Sequence, residues 1–182
     1  MAAFETTGKF GGGGGFEPTP EGEHNVAIIG LADMGMCERT YQNKTEMQPM
    51  LVLLYSDGAF VHQDWQTFSL WKQSNLAKKI VRATHGGDFD VATITSISEA
   101  MLGKLLRIFI EHKRSNDKSY ANITNYLPAN GKPKFGPDFE FPGALHAWLE
   151  KRAEGLVIHP KIRVGSFLSR DGNNVPDDDI PF

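Results

Sequence analysis

MLVLLYSDGAFVHQDWQTFSLW, residues 50–71, is the stretch on which the fold turns. Met50 to Ser56 is an apolar run and reads as a strand. Asp57-Gly58 follows it, a dipeptide that favours the left-handed backbone of a tight hairpin. The segment from Ala59 onward is aromatic-rich and predicts a partner strand ending near Trp71. Upstream, NVAIIGLADM (residues 25–34) predicts a first strand with a bulge or bend at Gly30. Met36 to Glu46 is polar and reads as the connection between the first two strands, carrying Arg39, Tyr41 and Lys44.

Downstream, SNLAKKIVRATHGG (residues 74–87) predicts a helix. Ser74 or Asn75 supplies the N-cap, Leu76 and Ile80 share a face, and Gly86-Gly87 stops it. SISEAMLGK predicts a short helix start that ends at Gly103. LLRIFIEHK, Leu105 to Lys113, predicts a fourth strand, RSNDKS a basic loop, and Tyr120 to Pro128 a fifth strand. The order β-β-β-α-β-β is that of a mainly β, five-stranded OB-fold, a Greek-key barrel with a helix between strands 3 and 4. A β-grasp or another small α+β sheet has a similar string of elements.

Around this body, residues 1–23 contain five consecutive glycines, Gly11–Gly15, and read as a flexible arm. The barrel is expected over 24–135. Residues 136–170 form an extension in which Leu145, Trp148 and Leu149 lie on one side of a short helix, and GLVIHPKIRVGSF follows as an extended segment against the barrel edge. Residues 171–182 are a linker and an acidic tip, DDDIPF.

The net charge of −3 is carried by Asp177, Asp178 and Asp179 alone, so residues 1–176 are neutral overall. From His24 to Phe135 there are 13 Lys and Arg against 10 Asp and Glu, a mildly basic middle. A barrel that binds single strands needs basic side chains for phosphates and aromatic faces for bases. Arg39, Tyr41 and Lys44 lie together in the first connection. Trp65, Trp71 and Lys72 follow the third strand, and Lys113, Arg114, Lys118 and Tyr120 flank the basic loop. Lys78, Lys79 and Arg82 share the polar side of the helix. Taken singly, each of these cations reads as solvated surface, and Phe68 and Phe109 read as core.

Little points to catalysis. The single cysteine, Cys37, excludes a disulfide within the chain and has no activating partner in sequence. The six histidines lack metal-ligand spacing, and no GxxxxGKS or GxGxxG cradle occurs. No catalytic residue, cofactor or metal is therefore expected. No run of about 18 apolar residues and no basic-then-apolar leader is visible, which together with one cysteine predicts a cytoplasmic protein. One constellation stands apart: Glu111-His112-Lys113 at a strand end, with Asp88 and Asp90 upstream, resembles the core of restriction-type nucleases. There two carboxylates hold a divalent ion and a lysine stabilises developing charge. A metal-dependent nuclease using Asp90, Glu111 and Lys113 is one alternative. A protein-interaction adaptor without DNA binding and an RNA-binding barrel are two more.

The tip DDDIPF closely resembles the C-terminal tip of bacterial single-stranded DNA-binding proteins. The resemblance implies that Pro181 and Phe182 enter an apolar pocket on a partner. It also implies that the terminal carboxylate meets a basic residue, that Asp177, Asp178 and Asp179 lie along a basic rim, and that Ile180 joins the anchor. The body, TFSLWKQSNLAKKIVRATHGGDF and LGKLLRIFIEHKRSNDKSYANITNYLP, resembles the OB-fold single-strand-binding proteins encoded by bacteriophages, over roughly residues 25–128. Gln66 stands where that family often has an aromatic, so one stacking partner is either absent or replaced by Trp65. The resemblance implies a protein that coats single-stranded DNA with little sequence preference. It further implies recruitment of replication, repair or recombination proteins through the tip, and leaves homo-oligomerisation open.

Overall fold

The computed structural model describes residues 18–115 and 118–166. Five long or central strands are β1 (Gly22–Tyr41), β2 (Lys44–Ser56), β3 (His62–Thr67), β4 (Leu105–Ser115) and β5 (Lys118–Pro128). They form one antiparallel sheet in the order β3-β2-β1-β4-β5. The first half of β1 pairs with β4, from Gly22↔Ile110 to Ala27↔Leu105. Where β4 departs, a short strand β7 (Gly155–Ile158) takes over the same edge of β1 and becomes the sixth member of the sheet.

The apolar run in β1 is continuous because both faces of the sheet are covered. Val26, Ile28 and Leu31 enter one core, while Ala27, Ile29, Ala32 and Met34 enter the other. The jump from Ile28 to Leu31 breaks the alternation, and the β1–β2 register slips between Ile28 and Gly30. A side chain at Gly30 would press on the ends of Ile158 (2.8 Å) and Leu54 (2.9 Å), so the bulge glycine is also where β7 comes closest. β2 alternates cleanly, with Leu51, Leu53 and Tyr55 in the first core and Met50, Val52 and Leu54 in the second.

The first core is covered by the segment between β3 and β4. Instead of one α-helix, the chain there is broken into pieces. A π-helical stretch, Leu76–Val81, runs into the four-residue α1 (Arg82–His85), followed by a 3-10 turn (Val91–Thr93) and α2 (Ile97–Met101). Ser74 opens it, accepting from the Ala77 amide at 3.2 Å, and Gly86 at φ 95° ends α1. Leu76, Ala77, Ile80 and Val81 face the core. The second core is covered by α3 (Gly143–Arg152), which buries Leu145, Trp148 and Leu149. Two short strands, β6 (Glu140–Phe141) and β8 (Arg163–Val164), pair in parallel beside it. Among the described residues no helix is long and apolar enough to cross a membrane.

Several expectations change. The sheet is not closed into a barrel by backbone pairing: β3 and β5 are its two ends. β3 is only six residues long, and the gap to β5 is bridged by side chains instead. The polar segment Met36–Glu46 is no loop. β1 and β2 run on as a ribbon to Tyr41↔Lys44, joined through Gln42 (φ 47°) and Asn43 (φ 63°), the left-handed pair of a tight hairpin turn. Asp57-Gly58 lies in a five-residue link, 57–61, between Ser56 at the end of β2 and His62 at the start of β3. A side chain at Gly58 would run into the Lys134 carbonyl. The third strand stops at Thr67, and Phe68 and Leu70 turn down onto the first core. Residues 19–23 are tied to the body: Thr19 is buried, its hydroxyl 3.0 Å from His62 Nδ1, and its carbonyl accepts from His112 Nε2 at 2.7 Å.

Candidate nucleic-acid interface

The open seam between β3 and β5 holds a cavity of about 340 Å³. Its floor is a buried polar network. Asp64 Oδ2 accepts from the Tyr55 hydroxyl at 2.9 Å and from the Tyr126 hydroxyl at 2.7 Å, while Oδ1 accepts from Gln66 Nε2 at 2.8 Å. Gln66 Nε2 also lies 3.2 Å from the Tyr126 oxygen, so β3 and β5 are joined twice through side chains. Burial pushes the Asp64 carboxyl up, while the hydrogen bonds from Tyr126, Gln66 and Tyr55 and the charge of Lys79 pull it back. Burial and the Asp64 charge push both tyrosines well above their usual value, which keeps them as donors. His62, behind this network, is fully buried and driven down to about 3, first by desolvation and then by His24.

The cavity rim is cationic. Arg39 from β1, Lys79 from the π-helical segment and Lys113 from β4 line it, together with Trp65 of β3 and Tyr126 of β5. Each position follows from local structure. Lys113 pairs directly opposite Tyr120, and Glu111 opposite Asn122, so these four share one face of the β4–β5 ribbon. Arg39 sits opposite Glu46, and Tyr41 opposite Lys44, which places Arg39, Tyr41 and Lys44 on one face of the β1–β2 ribbon. That face runs into the cavity: Arg39 Nη1 is 3.5 Å from Thr67 Oγ1, which in turn donates to Gln48 Oε1 at 3.2 Å.

Of the residues singled out in sequence, the structure brings Arg39, Trp65, Lys79 and Lys113 into this cavity. Lys78 and Arg82 line an adjoining cavity. Tyr41 (75% exposed) and Lys44 stand at the ribbon tip, outside both. Trp71, 67% exposed, lies with Lys72 in the turn after β3. Arg114 is exposed on the opposite face of β4 from Lys113, opposite Ser119. Lys118 opens β5 and its side chain lies outside the described set, as do all of Asp177, Asp178, Asp179, Ile180, Pro181 and Phe182. Gln66 is not a stacking surface but a strut of the seam. Trp65 is half-buried and packs against the second core.

Sequence reasoning gave no role to Asp64, Gln66, Tyr126 or Asn122. A carboxylate flanked by His62 and Gln66 inside a strand was the available signal, because a charge in a strand that faces a core must find partners. Of the nuclease constellation, Glu111 and Lys113 lie two residues apart on one face of β4, and Asp90 lies in the segment between β3 and β4. Asp90 accepts from the Ala92 amide at 3.0 Å as the cap of the 3-10 turn. Among the described residues no group of three His, Cys, Asp or Glu side chains is placed to hold a metal ion. Cys37 is half-buried, and burial followed by Asp33 and Glu154 pushes its thiol up, away from the reactive thiolate. No family model and no curated protein matches this sequence.

Proposed function

We propose that this chain binds single-stranded DNA along the β3–β5 seam. The observation that carries the reading is the convergence of Arg39, Lys79 and Lys113, from three separate elements, on one cavity that also presents Trp65 and Tyr126. Cations on the rim suit phosphates, and aromatic edges and faces suit bases. The strand order β3-β2-β1-β4-β5 supports the finer reading of an OB-type barrel, opened between its third and fifth strands. The ribbon carrying Arg39, Tyr41 and Lys44 extends the basic surface on one side.

On this reading the protein coats single strands with little sequence preference, as a non-enzymatic, cytoplasmic, phage-type single-strand-binding protein. The tip 177–182 recruits replication, repair or recombination proteins, and its aspartates and terminal Phe182 supply the attraction and the anchor.

The test is a fluorescence titration with labelled oligo(dT), single- and double-stranded, over a range of salt concentrations. Three cations contacting phosphates give log K against log salt a slope of about −2 for a single strand. Binding confined to the single strand with at least that slope supports the reading. No binding at low salt overturns it in favour of an adaptor, and preference for a matched RNA oligomer moves the substrate class.

A further inference from the structure

A second cavity of about 530 Å³ adjoins the first. The two share Lys79 and Tyr126, so they adjoin across these side chains. Its outer wall is the helical segment bearing Lys78, Lys79 and Arg82, and its inner wall is the end of β5, Tyr126 to Pro128. Among the described residues no carboxylate lines it. Lys78 and Arg82 are exposed and make no ion pair among the described residues.

Like charges four apart on a helix repel each other. A cationic rim with no counter-charge beside an apolar wall is matched to a ligand that alternates anionic and flat apolar parts. A nucleotide has that composition. Tyr126 stands at the junction with its hydroxyl already committed to Asp64 and Gln66. Its ring is therefore held in one orientation as the partition between the cavities.

We propose that the second cavity is a further nucleotide subsite of the same site. A bound strand passes from the seam across Tyr126, follows Lys78 and Arg82, and leaves beyond Pro128. This rests on the single-strand reading above and gives the strand a direction across the fold.

The experiment compares wild type with a Lys78→Ala/Arg82→Ala double variant on oligo(dT) lengths from about 4 to about 16 nucleotides, the span covered by single OB modules. Both side chains are exposed, and a thermal melt checks that the variant keeps its fold. A Lys132→Ala/Lys134→Ala variant removes the same charge from exposed positions that line neither cavity. The expected result is unchanged affinity for the shortest oligomer and at least about a tenfold loss for the longest. The salt slope for the longest falls by about 1.4, or 0.7 per phosphate contact removed. The control variant shows no such length dependence. A loss equal at all lengths, or no loss at any, overturns the proposal while leaving the single-strand reading intact. Failure of wild type to bind any length overturns both.

Discussion

Removing the Asp64 carboxylate strips three donors of their acceptor at once. The Tyr55 hydroxyl is in the fully buried core, and leaving it unpaired costs about 1–3 kcal/mol. Tyr126 and Gln66 are half-buried beside the cavity and recover part of their hydrogen bonding from water. Each therefore adds about 0.5–1.5 kcal/mol. Asp64→Ala should thus lower stability by about 2–6 kcal/mol, read as a shift of the urea midpoint at constant m-value. Tyr126→Phe removes one donor to a charged acceptor and should cost about 1.5–3 kcal/mol. The two are not additive, because the second change removes a hydroxyl that the first has already orphaned. A coupling energy below about 0.5 kcal/mol in the double-mutant cycle would refute the idea that this pair joins β3 to β5. Asp64→Asn separates charge from hydrogen bonding. The folded protein holds the Asp64 proton more tightly than the unfolded chain, because burial raises the group. Its contribution is thus fullest below the ordinary aspartate value of about 3.9 and is lost as pH rises through its folded value. The Asn variant should gain stability relative to wild type on going from pH 4 to neutrality, and a parallel pair of pH profiles would refute the burial argument.

His62 gives a dependence of opposite sign. Its folded value of about 3 lies below the ordinary histidine value of 6.5, so its contribution is present above pH 6.5 and is lost as pH falls toward 3. The slope is about 1.4 kcal/mol per pH unit at most, and His62→Phe should flatten that limb in acid unfolding. Lys113→Ala should reduce the salt slope of DNA binding by about 0.7 with no change in melting temperature, as fits an exposed cation on the cavity rim. Tyr41→Ala should leave stability within about 0.5 kcal/mol, since the ring is 75% exposed. If the ribbon tip carries a base, the same change weakens single-strand affinity by about 1–3 kcal/mol in titration, and an unchanged affinity ends the ribbon at Arg39.

The sequence was legible where burial imposes a period. β2 alternates between two cores, Gly30 marks a register slip, and Leu145, Trp148 and Leu149 fall on one side of α3. It was least legible where both faces of a ribbon meet water. From Met36 to Glu46 there is no apolar alternation, and only Cys37 of the segment packs on a core, so a two-stranded ribbon reads as a loop. The single helix expected after Ser74 is interrupted because its signals, Leu76 and Ile80, fix a face but not whether the turns are α or π. The cations of the site were visible as residue types in scattered segments. Their convergence depends on β1, β4 and the helical segment meeting at one end of the sheet, a non-local property that spacing along the chain does not encode. The seam network was hidden for a related reason: Asp64 and Tyr126 are 62 residues apart.

An open sheet has a cost that the proposed function turns to use. The outer edges of β3 and β5 pair with no neighbouring strand among the described residues. Such edges present unmatched N–H and C=O groups and invite another strand to add on. Here the gap between the edges is spanned by Asp64, Gln66 and Tyr126, and its rim carries Arg39, Lys79 and Lys113. Like charges on a rim disfavour docking of a second copy through the same surface, because its own cations would face these. A polyanion meets the opposite situation, with attraction at the rim and the rings of Trp65 and Tyr126 inside. Full backbone pairing of β3 with β5 would have removed the edge and filled the cavity together. Side-chain struts leave both strands joined and a space of about 340 Å³ beside them. On the proposed reading, the short β3 and the polar residues within it are the sequence features that make the binding site, and the same features made the barrel incomplete.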